Sequence, residues 1–313
     1  MEKINALAAD IGGSYIRMSR VDDCGALHGP VLRRSTPVDD LDQFIQTLSD
    51  LVAELRQDAG NGSRLAIATA GLLNPATGVM RAANIPCLNN IAPAAALSEK
   101  LGRQVVLVND ADAFALAEAT RGAGVGHVTV LGAVIGTGIG GGLVIDGRAV
   151  RGSGGVAGEW GHGPIASHHP HVLNRPLERM RCGCGQHGCA DTFGGARGIE
   201  RLHKLLGHPS QTTAQIVTGW KGGAAAASQT IDVWAEMLSE PLSLALNVTG
   251  ASIVPVGGGL SSEPALVAKL DQAVRARILN ETDQALLVPS LLGADAGLIG
   301  AALLARQISE GRP

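Results

Sequence analysis

The chain has 313 residues, of which 45% are hydrophobic and 43 are glycines, and its formal net charge is -3. This length is enough for two packed α/β domains. The charged residues form no basic stripe, which argues against a nucleic-acid or anionic-membrane partner. The sequence also lacks an uninterrupted apolar run of about 18 residues, which excludes a membrane-spanning helix.

Two further features predict a cytoplasmic protein. The opening residues MEKINALAADIGG lack the apolar stretch and the cleavage site of a secretory signal peptide. The cysteines number five, and three of them lie within eight residues, at 182, 184 and 189. An odd and crowded set of this kind is not typical of a secreted disulfide framework.

The N-terminal half begins with a predicted strand, turn and returning strand. An apolar run over 4–9 leads into the glycine turn 10–14 (DIGGS), and alternating residues over 15–21 predict the returning strand. The other elements predicted in this half are a helix over 40–55, strands over 65–69 and 104–108, and a helix over 112–120.

The second half begins with the same plan. A strand is predicted over 128–135, a glycine turn over 136–142 and a returning strand over 143–145. Because this unit occurs twice, the sequence predicts two similar half-molecules on either side of a cleft. Alternating strands and helices favour the α/β class. The elements predicted after this unit are helices over 230–248, 263–278 and 294–308, and a strand over 252–256.

Three glycine turns that follow apolar strands favour the binding of nucleotide phosphates. They lie at 10–14, 136–142 and 257–259. Glycine lacks a Cβ atom, so successive backbone N–H groups can approach a phosphate closely. Asp10, at the end of the first strand, supplies a carboxylate that can hold Mg²⁺ directly or through water.

A dinucleotide-binding fold is the alternative for the second turn. Gly136, Gly138 and Gly141 satisfy the G-x-G-x-x-G pattern. That pattern requires a helix directly afterwards and an acidic residue about twenty positions further on. Here a predicted strand follows and ends at Asp146. We therefore predict a hairpin at this turn.

Several polar residues are candidates for contacts with substrate hydroxyls. Asn109 and Asp110 follow a predicted strand, where the carboxylate can orient and deprotonate a hydroxyl group. The alternative is that this pair caps the next helix. Asn84 is either a turn residue or a hydroxyl-binding amide. Glu159 and His162 are three positions apart and would share one face of a helical turn, as a site or as a capped surface turn.

The string CGCGQHGC at 182–189 predicts a closed, structural zinc site. Its three thiols have C-x-C-x4-C spacing in a glycine-rich loop and can surround one tetrahedral metal. Redox-active thiols and unpaired small hydrophobic residues are the alternatives. Asp191 lies two residues after the last cysteine, where the loop would position it. The candidates for the fourth ligand are His162, His168, His169, His171 and His187.

Six segments, taken in order, resemble the ROK family of sugar kinases and repressors. They are DIGGS at 10–14, NDADAFALAEA at 109–119, VIGTGIGGGLVIDGR at 134–148, GGVAGEWGHGPI at 154–165, CGCGQHGCAD at 182–191 and VGGGLS at 256–261. The resemblance implies an actin-like (hexokinase/RNase H-like) duplicated α/β fold with an interdomain cleft. It implies a small domain over 1–118, to which a C-terminal helix at 295–313 returns, and a larger domain with the zinc loop over 119–294.

The resemblance also implies roles for individual residues. Asp110 would be the catalytic base, and His162, Cys182, Cys184 and Cys189 the zinc ligands. The residues implied to bind sugar are Asn84, Asn109, Asp110, Glu159, His162 and Asp191. Those implied to bind the nucleotide of MgATP are Asp10, Gly12, Gly13, Ser14, Gly136, Thr137, Gly138, Gly257, Gly258 and Gly259.

Within the family, the chain is similar to bacterial N-acetylglucosamine kinases. The implied reaction transfers the γ-phosphoryl group of ATP to the 6-hydroxyl of N-acetylglucosamine, in a homodimer. Glucose, N-acetylmannosamine and fructose are alternative substrates. Three positions depart from the family pattern: Asp191 replaces the usual Glu, Ser14 replaces the usual Thr, and Tyr15 replaces a commoner Lys or Thr.

Two alternatives belong to other functional classes. A sugar-responsive repressor of this family would carry a DNA-binding helix-turn-helix ahead of the DIGG-like segment, and we expect none, since Asp10 lies so early in the chain. An actin-like filament protein would not need the cluster of cysteines and histidines.

Overall fold

The computed structural model describes residues 4–22, 24–55, 64–74, 76–82, 84–164, 168–173 and 175–310. Contacts within the chain divide it into two compact units. The first comprises Met1–Gly122, Gly142–Ala157 and Leu292–Pro313, and the second comprises Ala123–Gly141 and Gly158–Leu291. The segment Gly142–Ala157 therefore groups with the first unit, whereas the domain boundaries predicted from the sequence place it in the second.

The strands are, in chain order, β1 (Ile4–Ile11), β2 (Tyr15–Asp22), β3 (Leu27–Ser35), β4 (Arg64–Thr69), β5 (Leu72–Leu73), β6 (Met80–Arg81), β7 (Val105–Asn109), β8 (Thr129–Ile135), β9 (Ile139–Ile145), β10 (Arg148–Val150), β11 (Val254–Gly257) and β12 (Leu287–Pro289). The helices are α1 (Leu41–Leu55), α2 (Pro93–Leu101), α3 (Asp110–Arg121), α4 (Asp191–Gly194), α5 (Ala196–Leu205), α6 (Thr213–Lys221), α7 (Ala225–Thr249), α8 (Pro264–Arg275) and α9 (Ala296–Ser309). In the described ranges, none of the helices combines the length and the apolar character needed to cross a membrane.

The two five-stranded sheets share one plan. Their strand orders are β3-β2-β1-β4-β7 and β10-β9-β8-β11-β12. In the first, β1 and β2 form an antiparallel hairpin, and β4 and β7 continue parallel to β1. In the second, β9 and β10 are antiparallel, and β11 and β12 continue parallel to β8. The predicted duplication and the predicted α/β class are confirmed.

The second hairpin differs from the prediction in where its returning strand begins. The sequence analysis assigns 136–142 to the turn, but β9 already begins at Ile139. Glycine keeps both backbone hydrogen-bonding groups, so the glycines at 140–142 can join a ladder. The turn is thus reduced to 136–138, where the Gly136 N–H donates to the Gly138 carbonyl at 2.9 Å. A strand follows this turn, which confirms the prediction against a dinucleotide-binding helix.

Helix α1 covers one face of the first sheet. It begins after Asp40, whose Oδ1 accepts a hydrogen bond from the Gln43 N–H at 3.0 Å. Its buried side chains recur at helical spacing and join the core of the first unit, which confirms the helix predicted over 40–55. They are Phe44, Leu48, Leu51, Val52 and Leu55.

Helices α3 and α9 pack against each other, and α9 also packs against β1 and β4. The sequence predicts α3 from 112, but it begins at Asp110 because Asn109 caps it. The Asn109 Oδ1 accepts hydrogen bonds from the N–H groups of Ala111 and Asp112, at 2.8 and 3.1 Å. This is the capping alternative named above for Asn109.

The second unit is organised around α7, which packs against α5, α6 and α8. The buried Trp234 of α7 donates its Nε1–H to the Gly194 carbonyl at 2.9 Å and so fixes the end of α4. On α8, the Asp271 Oδ1 accepts hydrogen bonds from the N–H groups of Leu286 and Leu287, at 2.9 and 3.0 Å. The Trp234 bond thus anchors α4, which precedes α7 in the chain. The Asp271 bonds anchor the start of β12, which follows α7.

Candidate active site and metal cluster

Asp10 and Asp110 lie at the same edge of the first sheet. Asp10 is near the end of β1, and Asp110 directly follows β7. Because β1, β4 and β7 run parallel, their carboxyl ends meet at this edge. The carboxyl edge of an α/β sheet is where ligands usually bind. The structure therefore brings the two predicted carboxylates together.

The environment of both carboxylates disfavours their charged forms. Burial, and then the neighbouring charge of Asp110, raise the pKa of Asp10 to about 6, although Arg17 opposes this shift. Burial also raises the pKa of Asp110. The hydrogen bond that its carboxylate accepts from the Ala111 N–H at 2.9 Å lowers this pKa, but the effect of burial is larger. A carboxylate whose pKa lies nearer to neutrality is a stronger proton acceptor.

The sequence analysis did not identify Arg17 as part of this site. Arg17 lies opposite Asp10 in the β1–β2 register, and its guanidinium donates to the Asp295 Oδ1 at 2.6 Å. The predicted hairpin could have indicated Arg17, because residues equally far from the middle of a hairpin turn pair with each other, and Arg17 is as far from it as Asp10. It is the cation that moderates the repulsion between the two carboxylates.

We expect Asp10→Asn to stabilise the protein above pH 6. The folded pKa of about 6 exceeds the ordinary value of 3.8, which corresponds to about 3 kcal/mol. This penalty is absent below the unfolded pKa and fully present above the folded pKa. Urea unfolding should therefore show a gain of up to about 3 kcal/mol at pH 7.5 that disappears near pH 4.

The exposed turn variant Asp146→Asn is the matched control, and it should change the free energy of unfolding little at either pH. A gain for Asp10→Asn that is the same at pH 4 and pH 7.5 would contradict the assigned cause.

The first glycine turn is held by Thr36 and lies against Asn84. The Thr36 Oγ1 donates to the Gly12 carbonyl at 2.7 Å, and the Thr36 N–H donates to the Ser14 carbonyl at 3.1 Å. A Cβ atom on Gly13 would approach the Asn84 carbonyl to 3.1 Å. The structure therefore brings Asn84 to the turn. Thr36 was missed because it follows β3, a strand that the sequence analysis did not predict.

Thr69 is a third residue that the sequence analysis missed, after Arg17 and Thr36. It ends β4 and pairs with Asn109 of β7. Its side chain is buried, and its hydroxyl has no hydrogen-bond partner within the described part of the chain. A polar residue at the end of an apolar strand is the signal that singled out Asn109, and it applies equally to Thr69.

In the second unit, the turns 136–138 and 257–259 are neighbours. Strand β11 ends at Gly257, which pairs with Val134 of β8. Gly258 has a φ of 85°, and a Cβ atom there would lie 2.5 Å from the Ile135 carbonyl oxygen. Only glycine combines this conformation with this approach. Two of the three predicted nucleotide-binding turns are thus brought side by side.

The four ligands implied by the family resemblance form one cluster. The ligand atoms of His162, Cys182, Cys184 and Cys189 all lie within 4.8 Å of one another. The His162 Nδ1 is 3.6 Å from the Cys182 Sγ, and the Cys184 Sγ is 3.6 Å from the Cys189 Sγ. Tetrahedral zinc, with bonds of about 2.3 Å to sulfur and about 2.0 Å to nitrogen, separates such ligands by about 3.6 to 3.8 Å. The donor set and its spacing fit zinc.

The cluster decides between the candidate histidines. Among the residues that the structure describes, His162 is the histidine grouped with the three cysteines. The thiols are free, so no disulfide competes with metal binding. The other candidates, which lie outside the cluster, are His168, His169, His171 and His187.

Two predicted sugar-binding residues adjoin this cluster. His162 turns its Nδ1 toward Cys182, while its Nε2 lies 3.8 Å from the Glu159 Oε2. Asp191 begins α4, and its Oδ2 lies 3.7 Å from the Cys182 Sγ. The Asp191 N–H donates to the Gly161 carbonyl at 3.0 Å. Glu159 and Asp191 therefore each lie beside a member of the cluster, Glu159 at His162 and Asp191 at Cys182.

The duplicated sheets, the paired carboxylates and the glycine turns define an α/β sugar kinase with the actin-like, hexokinase-like fold. The model of the ROK family matches residues 6–308. The chain belongs to the ROK family, as its segments predicted.

Known relatives match over nearly the whole chain. N-acetylgalactosamine kinase AgaK from Shewanella sp. (strain ANA-3) is 33% identical over 302 residues, covering 96% of this chain and 97% of the relative. N-acetyl-D-glucosamine kinase from Escherichia coli O9:H4 (strain HS) is 32% identical over 295 residues, covering 94% and 97%. The crystal structure of ROK hexokinase from Thermus thermophilus has a TM-score of 0.83 at 28% identity, covering 98% of this chain and 99% of that one. This chain is an ATP-dependent sugar kinase.

Proposed function

We propose that the chain phosphorylates the 6-hydroxyl of N-acetyl-D-glucosamine. The observation that carries this proposal is that two relatives at 33% and 32% identity are named for kinases of N-acetylated hexosamines. The CGCGQHGC string at 182–189 supports it. Glucose, N-acetylmannosamine and fructose are the alternative substrates within the family.

Asp110 would accept the proton of the attacking hydroxyl. Its raised pKa suits this role, and its hydrogen bond to the Ala111 N–H holds the carboxylate in place. Since the Asn109 Oδ1 is occupied by the helix cap, Asn109 would contact the sugar through its Nδ2 group. Asn84 and Glu159 would supply further contacts to sugar hydroxyls, and His162, which the resemblance places at the sugar, would act there by positioning Glu159.

The glycine turns would hold the phosphates of MgATP through backbone N–H groups, and Asp10 would hold the Mg²⁺ directly or through water. Phosphoryl transfer has a loose transition state, so its rate depends mainly on positioning and on the neutralisation of charge. Neutral pH is above the Asp10 pKa of about 6, so this carboxylate is mostly ionised. It would therefore be ready to bind the cation.

The cysteine cluster would hold one structural zinc ion. Its four protein ligands fill a tetrahedral site and leave no position open for a reactant. When bound, the metal would stabilise the loop. His162 would use its second ring nitrogen to orient the Glu159 carboxylate, which lies 3.8 Å away.

A coupled ATP-consumption assay across sugars tests the proposed substrate. We expect kcat/KM for N-acetylglucosamine to exceed that for glucose and fructose by at least about tenfold, because a site that hydrogen-bonds a substituent discriminates strongly against its absence. It should also exceed that for N-acetylmannosamine and N-acetylgalactosamine, because these epimers keep the acetamido group but direct one substituent away from its partners in the site. A preference for glucose or for N-acetylgalactosamine would contradict the proposal.

A sugar-responsive regulator is the alternative from another class. It would bind sugar and shift DNA in a gel without consuming ATP. The homodimer and the cytoplasmic location stay predictions, and light scattering would test the first of them by measuring whether the mass is about twice 31.9 kDa.

A further inference from the structure

Asp191 lies where three segments of the second unit meet. Its Oδ1 accepts a hydrogen bond from the Ile139 N–H at 2.7 Å, directly after the turn 136–138. Its own N–H donates to the Gly161 carbonyl at 3.0 Å, and its Oδ2 lies 3.7 Å from the Cys182 Sγ. One residue therefore contacts a glycine turn, the segment that carries Glu159 and His162, and the cysteine cluster.

The turn 136–138 rests on the chain that leaves the cluster. The Asp191 Oδ1 occupies the space that a Cβ atom on Gly138 would take. The Ala196 N–H donates to the Gly136 carbonyl at 2.8 Å, and a Cβ atom on Gly195 would collide with the Thr137 carbonyl oxygen. The turn is thus held at both ends by residues 191–196, which begin two positions after Cys189.

One carboxylate oxygen of Asp191 is engaged by the protein in a way that metal binding leaves intact, since the Oδ1 accepts the Ile139 N–H. The Oδ2 lies 3.7 Å from the Cys182 Sγ, which cannot donate a hydrogen bond once it is a metal-bound thiolate. These contacts differ from the sugar-binding role that the family resemblance implies for this position, where Asp replaces the usual Glu. A short carboxylate held in this way fixes the position of the turn relative to the cysteine loop.

We propose that Asp191 is a positioning residue that couples the cysteine cluster to the turn 136–138, so that metal bound at the cluster orders the nucleotide-phosphate site. The inference rests on the proposed phosphate-binding function of this turn. A metal ion bound to Cys189 would fix the backbone two residues further on, at Asp191. The Asp191 Oδ1 would then fix the turn through the hydrogen bond that it accepts from the Ile139 N–H.

Binding measurements on two variants test the role of the side chain. With a non-hydrolysable ATP analogue and calorimetry, Asp191→Ala should weaken nucleotide binding by about tenfold, because a hydrogen bond to a charged group is lost. In Asp191→Asn the remaining Oδ1 still accepts the Ile139 N–H, so the affinity should stay within about threefold. Binding of N-acetylglucosamine should change by less than about threefold in both. Asp232→Ala also removes a partly buried carboxylate, one that pairs with the Lys269 Nζ at 2.6 Å; it is the control and should leave both affinities unchanged.

A loss of sugar affinity in both variants, with nucleotide affinity unaltered, would overturn the proposal and assign Asp191 to the sugar. If the unmodified protein neither binds the analogue nor phosphorylates any sugar, the proposed function fails instead. The two failures are therefore distinguishable.

Hydrogen exchange on the unmodified protein gives a readout that does not depend on turnover or on the folding of a variant. Loading with Zn²⁺ alone should slow exchange of the Ile139 N–H by at least about tenfold relative to chelator-treated protein, because this amide bonds to Asp191. The amides of β11 should change little. Equal exchange at Ile139 with and without Zn²⁺ would overturn the coupling.

Discussion

Asp110→Asn is expected to lower kcat by about 10²- to 10⁴-fold, the usual contribution of a general base. The asparagine keeps the shape of the side chain, and its Oδ1 can still accept the Ala111 N–H, but it cannot take a proton. The dissociation constant for N-acetylglucosamine should stay within about threefold of that of the unmodified enzyme. The coupled assay measures the first quantity and calorimetry the second.

Asp146→Asn is again the matched control, since it makes the same chemical change in an exposed turn. Asp146 has a φ of 51°, a conformation that asparagine tolerates as well as aspartate. This control should keep full activity. Turnover near that of the unmodified enzyme in Asp110→Asn would remove Asp110 from the role of base.

Cys184→Ser is expected to release one zinc ion and to lower the melting temperature by roughly 5 to 8 °C. Loss of a structural metal is among the largest effects that a single substitution can have, here about 3 to 5 kcal/mol. With an unfolding entropy of about 2.1 cal/mol/K per residue, each kcal/mol corresponds to about 1.5 °C in a chain of 313 residues. Elemental analysis and thermal unfolding measure the two effects, and a chelator should reproduce them in the unmodified protein.

Cys24→Ser is the control for this experiment. Cys24 and Cys184 are both exposed free cysteines, but Cys24 lies outside the cluster. The Cys24→Ser variant should keep its zinc content and its melting temperature. If Cys184→Ser kept one equivalent of zinc and melted at the same temperature as the control, the cluster would have another purpose.

The elements that could be predicted from the sequence are those with strong apolar patterns. The hairpin β1–β2 and helix α1 bury regular apolar positions, and both were predicted within one or two residues. Strand β3 was missed because its residues are half-buried or exposed, so no alternation marks it. Helix α5 was missed although it is strongly amphipathic, since Gly198, Ile199 and Leu202 are buried at helical spacing between polar residues; the signal was present in the sequence and was overlooked.

The site could be predicted wherever its residues are close in the sequence. The spacing of the three cysteines predicted a metal loop without any tertiary information. The spacing alone left five histidines as possible fourth ligands; the family resemblance implied His162, and the folded chain groups His162 with the three cysteines. The bond between Asp191 and Ile139 joins residues far apart in the sequence. It depends on the path of the chain between them, which no local pattern encodes.

Helix α9 has a consequence for synthesis of the protein. It contributes Leu298, Ile299, Leu303 and Leu304 to the interior of the first unit, yet it is made after the whole of Gly158–Leu291. On the ribosome, domains generally fold in the order in which they emerge. Here the unit that emerges first lacks a covering helix until Gly158–Leu291 has been made. The nascent chain therefore holds an apolar sheet face exposed throughout synthesis of the second unit, and chaperones would have that interval in which to bind it.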